Sequence, residues 1–202
     1  MKNINGKWQV VIIGGGCNGT GVLRDLAKRG IKALLIEKND FSQGATGASS
    51  GMIHGGPRYL LHDTETTKHS CEDSGYIQKI APHILFRVPF LVPVHKSDPF
   101  GPFAHLLYDV YFSVYDKYAK LKNGIPHAKL KTEEMLKIEP GLYGDFYGGV
   151  TLDEWGIDPG RLCLLNALDA KQHGASILTY HEVIDLMRNE EGSIKGVRVR
   201  QK

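Results

Sequence analysis

The stretch that decides the fold is residues 10–19, which read Val-Val-Ile-Ile-Gly-Gly-Gly-Cys-Asn-Gly. Its β-branched run, Val10–Ile13, is typical of a buried parallel strand and leads straight into three glycines. Apolar positions then keep helical spacing over residues 17–29, and residues 33–37 predict a second strand. Strand, turn, helix and strand together fill about thirty residues, the length of one βαβ unit.

Three glycines within this stretch, Gly14, Gly16 and Gly19, form the pattern G-x-G-x-x-G. Between a strand and a helix, the first permits a sharp turn, the second lets the backbone approach a pyrophosphate, and the third lets the helix pack on the strand. The helix N-terminus would face the diphosphate, and Glu37 would accept hydrogen bonds from ribose hydroxyls. We therefore predict a dinucleotide site rather than a glycine turn that binds nothing. The pattern leaves NAD and FAD both open.

Composition excludes several other classes of protein. The chain has 202 residues and a net charge of +3 without charge clusters, which suits one domain with part of a second and predicts no nucleic-acid partner. Three scattered cysteines indicate a reducing compartment such as the cytoplasm, and the histidines lack metal-ligand spacing, so no metal is expected. The polar start, residues 1–8, does not resemble a signal peptide.

The most membrane-like stretch, residues 100–118, is interrupted by charged side chains and does not predict a spanning helix. Five of its apolar residues have helical spacing, which we interpret as a stripe facing the core, with peripheral membrane contact as the alternative. These residues are Leu106, Leu107, Val110, Tyr111 and Val114.

Further along the chain, alternating and helical patterns predict a series of elements. In order, these are a weak helix over 63–81, an edge strand over 86–94 containing Pro89 and Pro93, a short helix capped by Thr132, a strand over 146–152, a helix from Asp158 to Gly174, and strands over 176–187 and 194–200 around a turn at 190–192. The last strand has no continuation, so we expect a fragment of a longer protein.

A resemblance to a known family narrows the cofactor. Residues 12–21, 44–50 (Gly-Ala-Thr-Gly-Ala-Ser-Ser) and 53–60 (Ile-His-Gly-Gly-Pro-Arg-Tyr-Leu) resemble the flavin-dependent glycerol-3-phosphate dehydrogenases, within the amino-acid-oxidase-like flavoproteins. Weaker similarity at residues 157–175 leans toward the anaerobic, quinone-linked branch. Two positions depart from the family pattern: Gly51 replaces a basic residue found in many members, and Pro57 replaces a commoner aliphatic one.

The resemblance implies FAD and a Rossmann-like, three-layer α/β FAD-binding domain with the start of a mixed β-sheet substrate domain. We place the FAD-binding part at 1–81 and 151–202, with the substrate segment at 82–150. Hydroxyls in the glycine-rich segment are expected to contact the cofactor, with turn capping as the alternative. The expected cofactor-binding residues are Gly14, Gly16, Asn18, Gly19, Glu37, Lys38, Thr46, Ser49, Ser50 and His54.

The same resemblance implies a site and a reaction. His54 is the candidate proton acceptor or flavin contact, with a structural role as the alternative. Arg58, beside Tyr59, would bind the substrate phosphate, with a surface ion pair as the alternative. The implied reaction oxidises sn-glycerol 3-phosphate to dihydroxyacetone phosphate by hydride transfer to flavin, with electrons passing to a quinone or oxygen.

Two rival functions stay open. One is a related flavoenzyme that acts on a 2-hydroxy acid or an amine. The other is a truncated, inactive nucleotide-binding fragment. We expect a cytoplasmic location, with association at the inner face of the cell membrane as a further expectation. The catalytic base is unassigned.

Overall fold

The structure is a computed structural model and describes residues 6–202. The prediction that residues 1–8 do not form a signal peptide therefore falls mostly outside the described residues. In chain order, the α-helices and strands of the described residues are β1 Val10–Ile13, α1 Cys17–Lys28, β2 Ala33–Ile36, α2 Thr64–Ile80, β3 Leu85–His95, α3 Ala104–Ala119, β4 Lys129–Leu130, α4 Thr132–Ile138, β5 Phe146–Ile157, α5 Pro159–Gln172, β6 Ser176–Leu178, β7 His181–Arg188 and β8 Ile194–Gln201.

These elements form two compact units. The first combines the described residues up to Gly51 with Asp158–Lys202, and the second is Met52–Ile157. The first break, after Gly51, falls earlier than the predicted domain boundary at 81, and the second, after Ile157, falls later than the one at 150. Residues 52–80 belong with the second unit because their backbone bonds to β5: the Ile53 N–H donates to the Trp155 carbonyl at 3.0 Å.

The first unit contains the predicted βαβ arrangement. Its parallel sheet has the order β1-β2-β6, and the four residues of β2 are buried. Helix α1 buries Leu23 and Ala27 against this sheet and against Ala170 of α5. Arg24 of α1 also forms an ion pair with Asp169 of α5. The apolar run of β2 is thus explained by a strand buried on both sides, as in parallel sheets generally.

Helix α5 begins and ends as predicted. The Asp158 carboxylate accepts from the Arg161 N–H at 2.8 Å, and Gly174, at φ +88°, follows the helix. The single strand predicted over 176–187 is wrong, because the chain turns at Tyr180, which has φ +58°. Its first part, β6, joins the parallel sheet, whereas β7 pairs with β8 in an antiparallel hairpin.

The second unit is built on an antiparallel sheet with the order β3-β5-β4. Strand β3 lies at its edge, as its prolines predicted, and β5 extends past the predicted end at residue 152. The predicted cap of α4 is wrong by one residue, since Lys131 is the N-cap. The hydroxyl of Thr132 donates instead to the Phe146 carbonyl at 3.3 Å.

The interpretation of α3 as carrying a core-facing stripe is wrong for four of its five residues, whereas the fifth, Tyr111, packs against the core. Leu106, Leu107, Val110 and Val114 are 40–53% exposed. The buried face of α3 is aromatic and small, with Phe112, Tyr115 and Ala119 packed against Cys71 and Val150. Both faces are apolar, so helical spacing alone selected the wrong one. Among the described residues, no helix is long and apolar enough to cross a membrane.

Candidate functional site

The glycine turn of the first unit has the geometry that the pattern requires. Gly14 has φ +111°, a conformation that side chains disfavour. A Cβ on Gly19 would lie 2.0 Å from the Gly14 carbonyl oxygen, so only glycine lets α1 approach the turn this closely. The Gly14 N–H donates to the Ile36 carbonyl of β2 at 2.8 Å, which fixes the turn at the end of the sheet.

The backbone N–H groups at the start of α1, beside this turn, have no partner within the helix. Gly16 is the N-cap and offers no side-chain cap. The Cys17 N–H donates to Thr46 Oγ1 at 3.1 Å, and a Cβ on Gly16 would lie 2.8 Å from the same oxygen. Thr46 is therefore at the anion-binding end of the helix, where N–H groups and the helix dipole favour a phosphate. Thr20 Oγ1, which we did not predict, donates to the Gly16 carbonyl at 3.0 Å.

Glu37 directly follows β2 and bonds back to the turn. One carboxylate oxygen accepts from the Gly15 N–H and the other from the Asn39 N–H, each at 2.7 Å. Each oxygen keeps acceptor capacity, so ribose hydroxyls can still donate to it. The neighbouring Lys38 is exposed. The turn, the helix end and this carboxylate together fit the adenosine diphosphate half of a dinucleotide.

The remaining predicted cofactor contacts of the first unit differ in their surroundings. Ser49 Oγ donates to the Thr46 carbonyl at 2.8 Å, which is the turn-capping role that we held as the alternative. The side chains of Ser50 and Asn18 are exposed. Ser42, which sequence reasoning missed, has φ +62° and a buried hydroxyl without a hydrogen-bond partner among residues 6–202.

His54, Arg58 and Tyr59 lie in the second unit. The Gly56 N–H donates to His54 Nδ1 at 3.0 Å, so the neutral ring carries its proton on Nε2. The Arg58 guanidinium donates to the Tyr59 hydroxyl at 2.6 Å and lies 4.8 Å from that ring's centroid. No carboxylate within residues 6–202 pairs with Arg58, so the surface ion pair that we held as the alternative does not form there.

Side chains from α2 and α3 hold the backbone between His54 and Arg58. The successive carbonyls of residues 55–57 accept hydrogen bonds from Cys71 Sγ at 3.7 Å, from Thr67 Oγ1 at 3.2 Å and from the Tyr111 hydroxyl. Burial raises the pKa of the Cys71 thiol to about 11, so it remains a donor at neutral pH. The backbone before Arg58 is therefore fixed by three neighbouring side chains.

A second polar cluster in this unit links α3 to the segment before β4. His127 Nδ1 contacts Asp116 at 2.8 Å, and its Nε2 contacts Asp109 at 3.1 Å. Burial lowers the pKa of His127, but the hydrogen bonds and the negative charges of Asp116 and Asp109 together raise it by more, so the net shift is upward. The pKa of Asp109 is lowered, and the largest cause is the hydrogen bond from His127 to its carboxylate. The cluster favours a charged imidazole.

The first unit thus brings together Gly14, Gly16, Gly19, Glu37 and Thr46, and it defines a dinucleotide-binding α/β protein. The chain belongs to the FAD dependent oxidoreductase family, whose model matches residues 9–202. FAD, as the resemblance implied, is the cofactor of this family.

Two curated relatives confirm the resemblance. One component of the anaerobic glycerol-3-phosphate dehydrogenase of Escherichia coli K12 is 36% identical over 191 residues, 95% of this chain and 33% of that protein. The alpha-glycerophosphate oxidase of Enterococcus casseliflavus is 35% identical over 196 residues, 95% of this chain and 32% of that protein. The chain therefore spans about a third of the length of these relatives.

A solved structure confirms the fold. The glycerol-3-phosphate dehydrogenase of Bacillus halodurans, complexed with FAD, has a TM-score of 0.68 at 24% identity. The match covers 96% of this chain and 30% of that structure.

Proposed function

We propose that this chain carries the FAD-binding part of an oxidoreductase that converts sn-glycerol 3-phosphate to dihydroxyacetone phosphate. The observation that carries the proposal is the 35–36% identity, over 95% of the chain, to two relatives named for this substrate. The glycine turn and its flanking carboxylate support it from the structure, because they fit the nucleotide half of the cofactor.

The residues that would hold FAD are those of the turn and its surroundings. The N–H groups at the start of α1 would bind the diphosphate, with the Thr46 hydroxyl beside it, and Glu37 would bind the ribose. Lys38, Ser50 and Asn18 remain proposed contacts on exposed side chains. When bound, FAD supplies the acceptor for the hydride that leaves carbon 2 of the substrate.

Arg58 is the proposed phosphate-binding residue. A planar guanidinium matches two phosphate oxygens, and Arg58 has no carboxylate partner within the described residues to compete with them. The Tyr59 hydroxyl and ring contact the same guanidinium and would restrict its orientation. This arrangement supports recognition of a phosphorylated alcohol over an uncharged one.

His54 suits hydrogen-bond donation better than proton abstraction. Its Nδ1 is occupied by the Gly56 N–H, so the neutral ring offers an N–H at Nε2. A donor at that atom would orient an oxygen or a ring nitrogen of a bound molecule. The base that removes the hydroxyl proton is then a residue other than His54 in this tautomer.

The electron acceptor is part of the proposal. The name oxidase of one relative supports oxygen, and the name anaerobic dehydrogenase of the other supports a different acceptor, for which we propose a quinone. The cytoplasmic location and the association with the inner face of the cell membrane stay predictions. The exposed apolar face of α3 is the proposed membrane contact. Sedimentation of the protein with anionic lipid vesicles would test it.

The test is the visible spectrum of the chain loaded with FAD and freed of excess cofactor. Anaerobic glycerol 3-phosphate should bleach the oxidised-flavin bands, whereas glycerol should not. Arg58→Met should raise the substrate concentration for half-bleaching by tenfold or more, roughly the loss of one charge-assisted hydrogen bond, and Arg58→Lys by less.

Three results would contradict the proposal in different ways. Bleaching by a 2-hydroxy acid or an amine, without a response to glycerol 3-phosphate, would favour the related flavoenzyme. Retained flavin that no substrate bleaches would point to an inactive fragment. A chain that fails to retain FAD would refute its competence to bind the cofactor by itself.

A further inference from the structure

A buried ion pair in the second unit has no role in the site described so far. Lys122 and Glu154 are 0% and 1% exposed, and the Lys122 ammonium donates to a Glu154 carboxylate oxygen. The ammonium also donates to the Asp153 carbonyl at 2.8 Å, and the Tyr115 hydroxyl donates to Glu154 Oε1 at 2.9 Å. A buried pair generally adds little stability over apolar residues of the same volume, because both charges lose their hydration. Stability alone is therefore a weak explanation for it.

The pair reaches the backbone beside His54. Glu154 Oε2, the oxygen that binds Lys122, also accepts from the Gly55 N–H at 3.2 Å. A Cβ on Gly55 would lie 2.2 Å from the Tyr115 hydroxyl and 3.2 Å from Lys122 Cε. Only glycine lets the segment lie this close to the tyrosine and the lysine that bond to the buried carboxylate. The close approach and the hydrogen bond therefore depend on each other.

This bond differs in kind from the other anchors of the segment. The carbonyls of residues 55–57 accept from a thiol and two hydroxyls, which are neutral donors. The Gly55 N–H bonds at 3.2 Å to a carboxylate that is excluded from water, where a charged acceptor attracts an N–H group more strongly than a neutral one does. Among these anchors, only the one from Glu154 carries a charge, and Lys122 holds that carboxylate in place.

We propose that Lys122 and Glu154 are positioning residues. They fix the backbone of residues 54–58, and through it the orientation of the His54 ring and the start of the Arg58 side chain. The consequence for substrate handling rests on the proposed function, whereas the anchoring of the backbone can be measured without it.

Paired variants separate anchoring from folding. A single substitution leaves one buried charge without its partner, which destabilises strongly. Lys122→Met/Glu154→Gln and Lys122→Met/Glu154→Met both remove the two charges at nearly constant volume. Glutamine keeps an oxygen for the Gly55 N–H, and methionine does not. Tyr115→Phe placed in both proteins removes the other hydrogen bond to residue 154, so the two proteins differ only in the side chain at that position.

Amide hydrogen exchange by NMR gives the first readout. We expect the Gly55 and Gly56 amides to exchange about tenfold faster in the Glu154→Met protein than in the Glu154→Gln protein, as for the loss of one hydrogen bond. The Val150 amide in the middle of β5 should be unchanged. The ¹⁵N shift of His54 Nδ1 should also move, because its bond from the Gly56 N–H depends on the same backbone.

The kinetic readout is a rise in KM for glycerol 3-phosphate that exceeds any fall in kcat. Equal exchange rates and equal His54 shifts in the two proteins would overturn the inference, even if the wild-type chain is active. If wild type does not respond to glycerol 3-phosphate but the exchange rates still differ, the proposed function fails and the positioning of the segment stands.

Discussion

Replacement of Gly19 with alanine should separate α1 from the turn that it packs on. A Cβ there would lie 2.0 Å from the Gly14 carbonyl oxygen, and contacts under 3.0 Å essentially never occur, so helix and turn must move apart by about 1 Å or more. Overpacking of this kind costs about 1–3 kcal/mol, and the better helix propensity of alanine offsets roughly 1 kcal/mol. We expect a net loss of up to about 2 kcal/mol.

The same helix provides the control. A Cβ on Gly21 meets nothing within 4 Å, so Gly21→Ala should raise the stability by up to about 1 kcal/mol. Circular dichroism melting should show a Tm lower by up to about 8 °C for Gly19→Ala and a few degrees higher for Gly21→Ala.

Flavin retention should follow the same order, because the displaced helix carries the backbone donors that face the diphosphate. Gel filtration after loading with FAD measures the fraction retained, which we expect to fall in Gly19→Ala and to stay unchanged in Gly21→Ala. If Gly19→Ala melted at the wild-type temperature and kept as much flavin as the control, the close packing of helix and turn would be refuted as the reason for this glycine.

Three other changes have measurable outcomes. Because the pKa of His127 is raised in the folded protein, the stability that it contributes is fully present below the unfolded pKa of about 6.5 and is lost as pH rises through the folded pKa. The difference in unfolding free energy between wild type and His127→Gln should therefore shrink on going from acidic to alkaline pH, and a constant difference would contradict this. Asp158→Ala should cost about 1 kcal/mol in thermal melting through loss of the N-cap, and Asp158→Asn much less. Glu37→Gln leaves one oxygen to serve the Gly15 and Asn39 N–H groups, so fluorescence titration should show a Kd for FAD about tenfold higher; an unchanged Kd would remove Glu37 from the site.

The glycine turn was predictable because its requirements are local. The positive φ of Gly14 and the missing Cβ of Gly19 follow from a strand, a turn and a helix adjacent in sequence, and the pattern fixes all three. Glu37 was predictable for the same reason, since a strand of known direction carries it to the same edge of the sheet. The Asp158 cap was predictable because it involves only residues within the first turn of the helix.

The second unit was less predictable, because its contacts join distant residues. Lys122 and Glu154 are 32 residues apart, and neither shows in the sequence that it is buried. A lysine and a glutamate are mostly exposed in proteins, so composition pointed the wrong way. The buried face of α3 failed for a related reason: Phe112 and Val110 are both apolar, and only the packing against other elements distinguishes them.

The division of the first unit into two separate pieces of chain has a consequence during synthesis. β1, α1 and β2 leave the ribosome early, but the strand that pairs with the other edge of β2 is complete only when Leu178 has been made. Until then that edge has unpaired backbone groups, and Leu23 and Ala27 lack their contact with α5. The second unit is contiguous in sequence and can fold in the interval. Slow translation between β2 and β6 should therefore lower the soluble yield of this protein, because it prolongs the exposure of a half-built sheet to other nascent chains.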